Sequence, residues 1–374
     1  MATKPSVDWL ITQMKIIGGA EIYASQMVYE LAKRGWDIRL ITLVDDHTLS
    51  PRLQQQGVPV ISLSAKSKTD TTAWMKLQQL WKKKKPQILH THLFHAGILG
   101  RLVGRKMGIP IILCHQGGPE LNRPFPRIVL DFVTSSLVDH YVVPCKAVER
   151  ILHNRERIPP RKIDRIPNAI QPPPEGYLSQ PFEDLQVNFA MPVKLITVGR
   201  LVVEKAQWVI VESVKILAMR NLNVSLSILG DGPLRGKLET QIKQSNLAAV
   251  VSLLGHQEHP FEWLSQSDLF VLTSLWESLS LALMEAMAIG LPVVATSTGG
   301  TPELITHLEN GYLIPPNSPQ TLADAIEYLI QNPEVARNIG KNARTHILDN
   351  YTIPRVADQL ELYYWKLLES GAQP

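Results

Sequence analysis

Short runs of apolar and β-branched residues alternate with helical patterns along almost the whole chain. In the first half these runs lie near residues 8–12, 37–44, 58–63, 87–90, 110–114 and 140–143. After residue 192 they resume near 193–198, 224–229, 250–254, 269–272 and 291–295. Strands that alternate with helices in this way predict parallel sheets built from βαβ units.

A proline-rich, aperiodic stretch interrupts this alternation between Pro172 and Pro192, and its composition is typical of a linker between domains. At 374 residues the chain is also longer than a single core usually serves. We therefore predict an α/β protein with two tandem Rossmann-like domains, residues 1–172 and 193–354, joined by a linker over 173–192. Ligands of such domains bind at the carboxyl ends of strands, which predicts an active site in a cleft between the two domains.

Composition indicates an ordinary globular chain, with 45% hydrophobic and 19% charged residues. No apolar run reaches the roughly 18 residues of a membrane-spanning helix, and the start of the chain lacks the order of a secretion signal. A cytoplasmic location is therefore expected. The two cysteines, Cys114 and Cys145, are flanked by strand-like sequence and are expected to be buried, reduced thiols.

The charge is distributed unevenly between the two halves. Residues 1–170 carry 25 Lys and Arg against 13 Asp and Glu, a net charge of +12, whereas the remainder has a net charge of −8. This asymmetry indicates that the first half faces an anionic partner, such as a membrane surface, a lipid phosphate or an acidic acceptor. No nucleic-acid-binding motif is present, so nucleic acid is not expected as a partner.

One segment of the first half fits a membrane surface in particular. Leu77, Leu80 and Trp81 share one face of a predicted helix over 74–81, and four lysines follow at 82–85. Such a helix could lie on an anionic bilayer. Alternatively, its apolar face packs on the sheet and its lysines are solvated, as is common in βαβ proteins.

Two loops that follow predicted strands carry residues suited to a diphosphate. Gly18 and Gly19 precede a helix, where glycine lets an anion approach the backbone closely and the helix dipole favours negative charge. Arg200 and Lys205 follow the strand 193–198, and both could reach a diphosphate. The structural alternatives are a tight turn for the glycines and solvated cations for the second loop.

The segment 276–288 carries two glutamates, Glu277 and Glu285, across the start of an apolar helix. With Ser280 as N-cap, the amides of Ser280 and Leu281 form a phosphate site. Helical rise over eight residues would separate the glutamates by roughly 12 Å, so that one could bind a hexose and the other a ribose. That layout matches a nucleotide sugar. The alternative is a capping acid and a solvated helix residue.

Histidines offer a further set of candidates. His115 ends a predicted strand, where it could bind a sugar hydroxyl or be a satisfied structural histidine. A metal bound by His90, His92 and His95 is the weaker interpretation, because no acid or cysteine lies at ligand spacing. No Asp-x-Asp occurs in the chain, so no metal and no cofactor beyond the donor is expected.

These motifs together resemble the family 4 retaining glycosyltransferases of the GT-B fold. The resemblance is carried by Glu277 and Glu285 with the residues that follow them, by Gly299–Ile305, by the Gly-Gly-Ala-Glu that begins at Gly18, and by Gly199–Lys205. The chain departs from the family at Ala206, where glycine is usual, and at residues 168–171.

The resemblance implies a hexosyltransferase-type enzyme that retains anomeric configuration. It places Gly18, Gly19, Arg200 and Lys205 at the donor diphosphate and His256 at the nucleobase. It makes His115 a sugar-site residue, Glu277 the residue that positions donor-sugar hydroxyls, and Glu285 the ribose ligand, with Leu281 and Ser280 at the phosphate. A C-terminal helix over 355–370 would return to the first domain.

The predicted function is therefore metal-independent transfer of a sugar from a nucleotide sugar to a lipid or saccharide acceptor. A peripheral position at the cytoplasmic face of a membrane would suit a lipid acceptor. One alternative is a sugar-nucleotide 2-epimerase of the same fold, which would need no acceptor. The other is a non-catalytic protein that binds a nucleotide sugar or a membrane.

Overall fold

The computed structural model describes residues 4–14, 18–44, 49–68, 70–117, 124–178 and 189–370. Contacts divide the chain into two compact units. Unit 1 comprises residues 1–171 and 353–374, and unit 2 comprises residues 172–352. Half of the predicted linker, residues 179–188, lies outside the described residues.

Unit 1 is built around a seven-stranded parallel sheet of order β3-β2-β1-β4-β5-β6-β7. Its strands are β1 (Ser6–Ile11), β2 (Asp37–Thr42), β3 (Val60–Ser62), β4 (Ile88–His92), β5 (Ile111–His115), β6 (His140–Val143) and β7 (Ile163–Arg165). Its helices are α1 (Gly19–Lys33), α2 (Leu49–Gln55), α3 (Thr72–Lys83), α4 (Phe94–Lys106), α5 (Phe125–Thr134), α6 (Lys146–Glu156) and, from the end of the chain, α15 (Ile353–Ser370).

Unit 2 is built around a six-stranded parallel sheet of order β10-β9-β8-β11-β12-β13. Its strands are β8 (Val193–Val198), β9 (Val224–Leu229), β10 (Val251–Gly255), β11 (Leu269–Leu272), β12 (Val293–Thr296) and β13 (Tyr312–Ile314). Its helices are α7 (Glu175–Leu178), α8 (Gln207–Met219), α9 (Arg235–Gln244), α10 (Pro260–Leu264), α11 (Leu281–Ala288), α12 (Thr301–Leu304), α13 (Pro319–Gln331) and α14 (Pro333–Asn350).

The prediction of two parallel Rossmann-like sheets is confirmed. The three-residue edge strands β7 and β13 were not predicted, whereas β3, equally short and also at an edge, was found because it lies within the longer run 58–63. Cys114 and Cys145 are buried thiols that are not joined in a disulfide, as expected. Of the described helices, none is both long enough and apolar enough to cross a bilayer.

Helix α3 packs its apolar face into unit 1. Leu77 and Trp81 are fully buried, and the Trp81 indole donates a 2.8 Å hydrogen bond to the carboxylate of Asp8. Arg39 pairs with the same buried carboxylate at 2.7 Å. The interpretation of this helix as a membrane-binding surface is therefore wrong, because the side chains that would enter the lipid belong to the core.

The C-terminal helix α15 belongs to unit 1. Its first amide, that of Ile353, donates to the Ile170 carbonyl at 2.8 Å, and Leu360 and Tyr364 are fully buried. Its Glu361 forms ion pairs with Lys4 and Arg34 at 2.6 and 2.8 Å. Helix α15 thus closes one face of the first sheet.

Candidate functional site

The loop after β8 presents two cations at the carboxyl end of a central strand of unit 2. Arg200 is exposed, and its guanidinium has no ion-pair partner among the described residues. The backbone beneath it is fixed, because the Arg200 carbonyl accepts a 2.9 Å hydrogen bond from Gln207. Lys205 ends a short 3₁₀ turn that begins at Val203. Arg200 is therefore available to an anion.

Lys205 instead pairs with Glu277. Its ammonium donates to Glu277 Oε1, and Ser274 Oγ donates to the same oxygen at 2.6 Å. Glu277 is buried, so the lysine compensates a charge that would otherwise be costly to remove from water. The structure therefore brings together two of the predicted site residues.

Ser274 was not among the predicted site residues. It is fully buried two residues beyond the end of β11, and its carbonyl accepts a 2.6 Å hydrogen bond from Thr296 Oγ1. The rule that functional side chains follow parallel strands could have found it. Ser274 holds the Glu277 carboxylate in one orientation.

Glycines allow close packing around these loops. Gly299 has a φ of +55°, and a Cβ there would lie 1.7 Å from the Glu277 carbonyl oxygen. The next amide, that of Gly300, donates to this carbonyl at 3.0 Å. A Cβ at Gly230 would lie 2.0 Å from the Gly199 carbonyl oxygen. These glycines are required because their backbones pack directly against Glu277 and Gly199, in two loops that carry predicted donor-site residues.

Ala206 adopts a left-handed conformation with a φ of +48°. Glycine adopts this conformation without the roughly 1–2 kcal/mol that it costs other residues. Hydrogen bonds from Thr273 Oγ1 to the carbonyls of Ala206 and Lys205, at 3.0 and 3.2 Å, hold the turn. Ala206 thus occupies a left-handed turn of the kind that glycine adopts without strain.

Helix α11 begins as predicted. Ser280 is its N-cap, and Ser280 Oγ accepts a 3.4 Å hydrogen bond from the Leu283 amide. Since the helix begins only at Leu281, residues 277–280 are not helical, and the separation of roughly 12 Å calculated from helical rise does not hold.

Glu285 lies half-buried on α11 among fully buried neighbours, Met284 and Ala286. Its carboxylate has no hydrogen bond from the described residues, and removal from water raises its pKa from 4.5 to about 7. A carboxylate in this condition is a good acceptor for hydroxyl groups of a ligand. The other predicted residue of unit 2, His256, is exposed just beyond β10.

In unit 1, Gly18 is the N-cap of α1 and Gly19 is its first residue; residues 15–17 lie outside the described part of the chain. A Cβ at Gly18 would lie 2.8 Å from a carboxylate oxygen of Glu21, which is buried in the first turn. This carboxylate complements the helix dipole and repels a second anion. A phosphate at this loop stays a prediction.

His115 lies in a buried stack of imidazoles at the carboxyl ends of β4 and β5. Its ring stacks on His92 with centroids 4.3 Å apart, and His90 lies behind at 5.7 Å. Tyr364 accepts a hydrogen bond from the Trp9 indole at 3.0 Å and contacts His90 Nδ1 at 2.6 Å. Burial lowers the pKa of His115 to about 4, so the ring is neutral at neutral pH.

This stack differs from the histidine set considered in the sequence, because His115 takes the place of His95. The ligating atoms of His90, His92 and His115 lie within 4.8 Å of one another. Nε2 of His90, Nε2 of His92 and Nδ1 of His115 have no hydrogen-bond partner among the described residues. Adjacent rings are only 19° and 25° from parallel. Nearly parallel rings point their lone pairs side by side, whereas a metal needs them to converge.

Two family models match the chain in succession. The model described as Glycosyltransferase Family 4 matches residues 17–172, and the model described as Glycosyl transferases group 1 matches residues 183–346. The chain belongs to this glycosyltransferase family. The first model ends at residue 172 and the second begins at residue 183, close to the boundary between unit 1 and unit 2 of this glycosyltransferase.

Relatives of known activity match the glycosyltransferase over nearly its whole length. One is the Escherichia coli UDP-Gal:alpha-D-GlcNAc-diphosphoundecaprenol alpha-1,3-galactosyltransferase, 27% identical over 94% of each chain. Another is the Bacillus anthracis N-acetyl-alpha-D-glucosaminyl L-malate synthase, 27% identical over 96% of each chain.

Solved structures share the fold. Anabaena HepE in complex with UDP matches with a TM-score of 0.82 at 18% identity, over 96% of this chain and 100% of that one. Sucrose-phosphate synthase from Thermosynechococcus elongatus matches with a TM-score of 0.80 at 20% identity, over 98% and 100%.

Proposed function

We propose that the enzyme is a retaining, metal-independent hexosyltransferase that moves a sugar from a nucleotide-sugar donor to a lipid or saccharide acceptor. The observation that carries this proposal is the Lys205–Glu277 pair, which Ser274 orients. Arg200 lies on the same loop as Lys205 and has no ion-pair partner in the part of the chain that the structure describes. The relatives support the substrate class, since one acts on a diphosphoundecaprenol-linked sugar and the other forms a glucosaminyl malate.

The donor diphosphate is proposed to bind Arg200 and the amides that begin α11. Arg200 supplies a bidentate cation, and the amides of Ser280 and Leu281 supply donors that need no reorganisation when charge develops on the leaving group. Lys205 leaves Glu277 for the diphosphate as the donor binds. These groups together stabilise the departing nucleoside diphosphate without a divalent ion.

The sugar and the ribose are proposed to bind the two glutamates. Glu277, released from Lys205, accepts hydrogen bonds from donor-sugar hydroxyls, and Glu285 accepts them from the ribose. The acceptor hydroxyl attacks the anomeric carbon on the face that the diphosphate leaves. The C–O bond to the diphosphate breaks as the new C–O bond forms, and the acceptor proton passes to a diphosphate oxygen, so that configuration is retained.

Release of nucleoside diphosphate from a panel of UDP-, GDP- and ADP-sugars tests this function. We expect release only with an acceptor present, loss of release in Arg200→Ala, and unchanged release in the control Arg337→Ala, which alters a partly exposed arginine of α14. Proton NMR of the product should show the donor's anomeric configuration. A sugar altered with no acceptor would indicate the epimerase instead, and donor binding without any turnover would indicate a non-catalytic protein.

A further inference from the structure

Helix α5 of unit 1 carries its polar and apolar residues on unexpected sides. Asp131 and Thr134 are its buried residues. Phe125, Val133 and Phe132 are 76%, 65% and 54% exposed. A helix on the surface of a globular protein normally buries its apolar stripe and exposes its polar one. Helix α5 has the opposite arrangement.

A buried arginine of α4 holds α5 in this orientation. Arg101 pairs with Asp131 at 3.1 Å and donates to Thr134 Oγ1 at 3.0 Å, and its side chain is almost wholly inaccessible. Breaking a buried ion pair by losing one partner costs several kcal/mol, so α5 cannot simply roll its apolar side chains inward. The outward apolar stripe is therefore a fixed property of the fold.

The outward stripe is continuous along the helix. Phe125, Val129, Phe132 and Val133 follow one another at spacings of four, three and one, which places them on one face. Val129 and Leu130 are each about two-fifths exposed. Contiguous exposed apolar side chains of this size mark a surface that another molecule or a membrane covers.

The neighbouring helix α6 shows what kind of surface fits. Helix α6 packs against α5, and it helps to line a pocket of about 330 Å³ with Lys146, Arg150 and Arg165. Glu149, which pairs with Arg165 at 3.2 Å, is the one acid in that lining. An apolar helix beside excess positive charge complements a bilayer interface, where acyl chains lie beneath anionic headgroups.

We propose that the outward face of α5 and the basic side chains of α6 dock the enzyme on an anionic lipid surface. A second copy of this chain fits less well, because a symmetric contact would bring the two basic α6 surfaces together. The proposal rests on the proposed function in one respect only: docking on a membrane would bring the enzyme to a lipid-linked acceptor. It also moves the membrane contact away from the lysine-rich end of α3.

Co-sedimentation of the full chain with vesicles tests the proposal. We expect binding to phosphatidylcholine vesicles that contain phosphatidylglycerol, and much weaker binding to phosphatidylcholine alone or at high salt. The double variant Phe132→Ser, Val133→Ser should lower the partition coefficient about tenfold or more. Arg150→Glu should lower it for the anionic vesicles only.

The matched control is Leu362→Ser on α15. Leu362 is 71% exposed and lies in the same unit, so its loss removes a similar apolar side chain elsewhere on the surface. Its vesicle binding should equal that of the unaltered chain. Equal binding by all variants would overturn the proposal, as would absence of binding to either vesicle. Sedimentation velocity showing a dimer that only the Phe132→Ser, Val133→Ser variant loses would also overturn it, in favour of a second copy.

Transfer to a water-soluble acceptor separates this proposal from the proposed function. The Phe132→Ser, Val133→Ser variant should keep full activity on such an acceptor, because α5 contributes no donor-binding residue. Vesicle binding without any transfer would refute the function and leave the docking surface standing. Transfer without vesicle binding would refute the docking surface alone.

Discussion

Replacement of Glu285 by glutamine should make the ligand-free enzyme more stable at alkaline pH. Burial raises the pKa of the Glu285 carboxyl group to about 7 in the folded chain, against an ordinary value of 4.5. The folded chain therefore holds this proton more tightly than the unfolded chain, and ionisation of Glu285 opposes folding increasingly as the pH rises from 4.5 to 7. Glutamine has nearly the same shape and never ionises.

The size of the effect follows from the shift in pKa. Raising the pKa from 4.5 to about 7 corresponds to about 3 kcal/mol of destabilisation, which is reached above pH 7. At pH 5 the destabilisation is still below about 1 kcal/mol. Urea unfolding at pH 5 and pH 8 measures this difference. We expect Glu285→Gln to gain about 3 kcal/mol at pH 8 relative to the unaltered chain, and little at pH 5.

The matched control is Glu334→Gln, which alters a highly exposed glutamate of the same unit. Its stability relative to the unaltered chain should not change with pH. An equal gain for Glu285→Gln at both pH values would refute the reasoning, and so would a loss at pH 8. Glu285→Gln should also bind the donor about tenfold or more weakly than the unaltered chain, because hydrogen bonds to a charged acceptor contribute about 1.5–3 kcal/mol.

The remaining predictions concern the loops around Glu277. Gly299→Ala should lower transfer strongly and destabilise the chain by about 3 kcal/mol or more, because its Cβ would overlap the Glu277 carbonyl. Urea unfolding checks this prediction. Gly236→Ala is the control, because a Cβ at Gly236 would meet no atom within 4 Å. Ser274→Ala should cost about 1–3 kcal/mol of transition-state stabilisation, seen as a lower kcat/KM, since Glu277 loses its orienting donor; an unchanged kcat/KM would contradict that role. Transfer should survive EDTA, and activity lost to EDTA and restored by added metal would contradict metal independence.

The fold was largely predictable from the sequence because strand and helix periods alternate cleanly. Four of the eleven predicted strand ranges match the structure at both ends, and the other seven differ by one or two residues at their ends. The Ser280 N-cap was predictable because capping is a local effect. The short edge strands β7 and β13 lie in no longer β-rich run and carry no such local signal.

The contacts of the site were less predictable because they join distant parts of the chain. Lys205 and Glu277 are 72 residues apart, and both were assigned to the donor without any sign that they pair with each other. The histidine stack similarly joins β4 to β5 and reaches Tyr364 of α15. The sequence left open whether the apolar face of α3 meets a membrane or the core, because a helical pattern shows which residues share a face but not which way that face turns.

The Lys205–Glu277 pair has a consequence for the order of events at the donor site. An isolated buried carboxylate would be costly, so Glu277 keeps its lysine until a better set of partners arrives. A nucleotide sugar brings both parts of that set, because its diphosphate attracts the ammonium while its hydroxyls hydrogen-bond to the carboxylate. Free nucleoside diphosphate brings only the first part, since it has no sugar to satisfy Glu277. The intact donor should therefore bind more tightly than its product, and the difference should shrink in Glu277→Gln, where the group left behind is neutral.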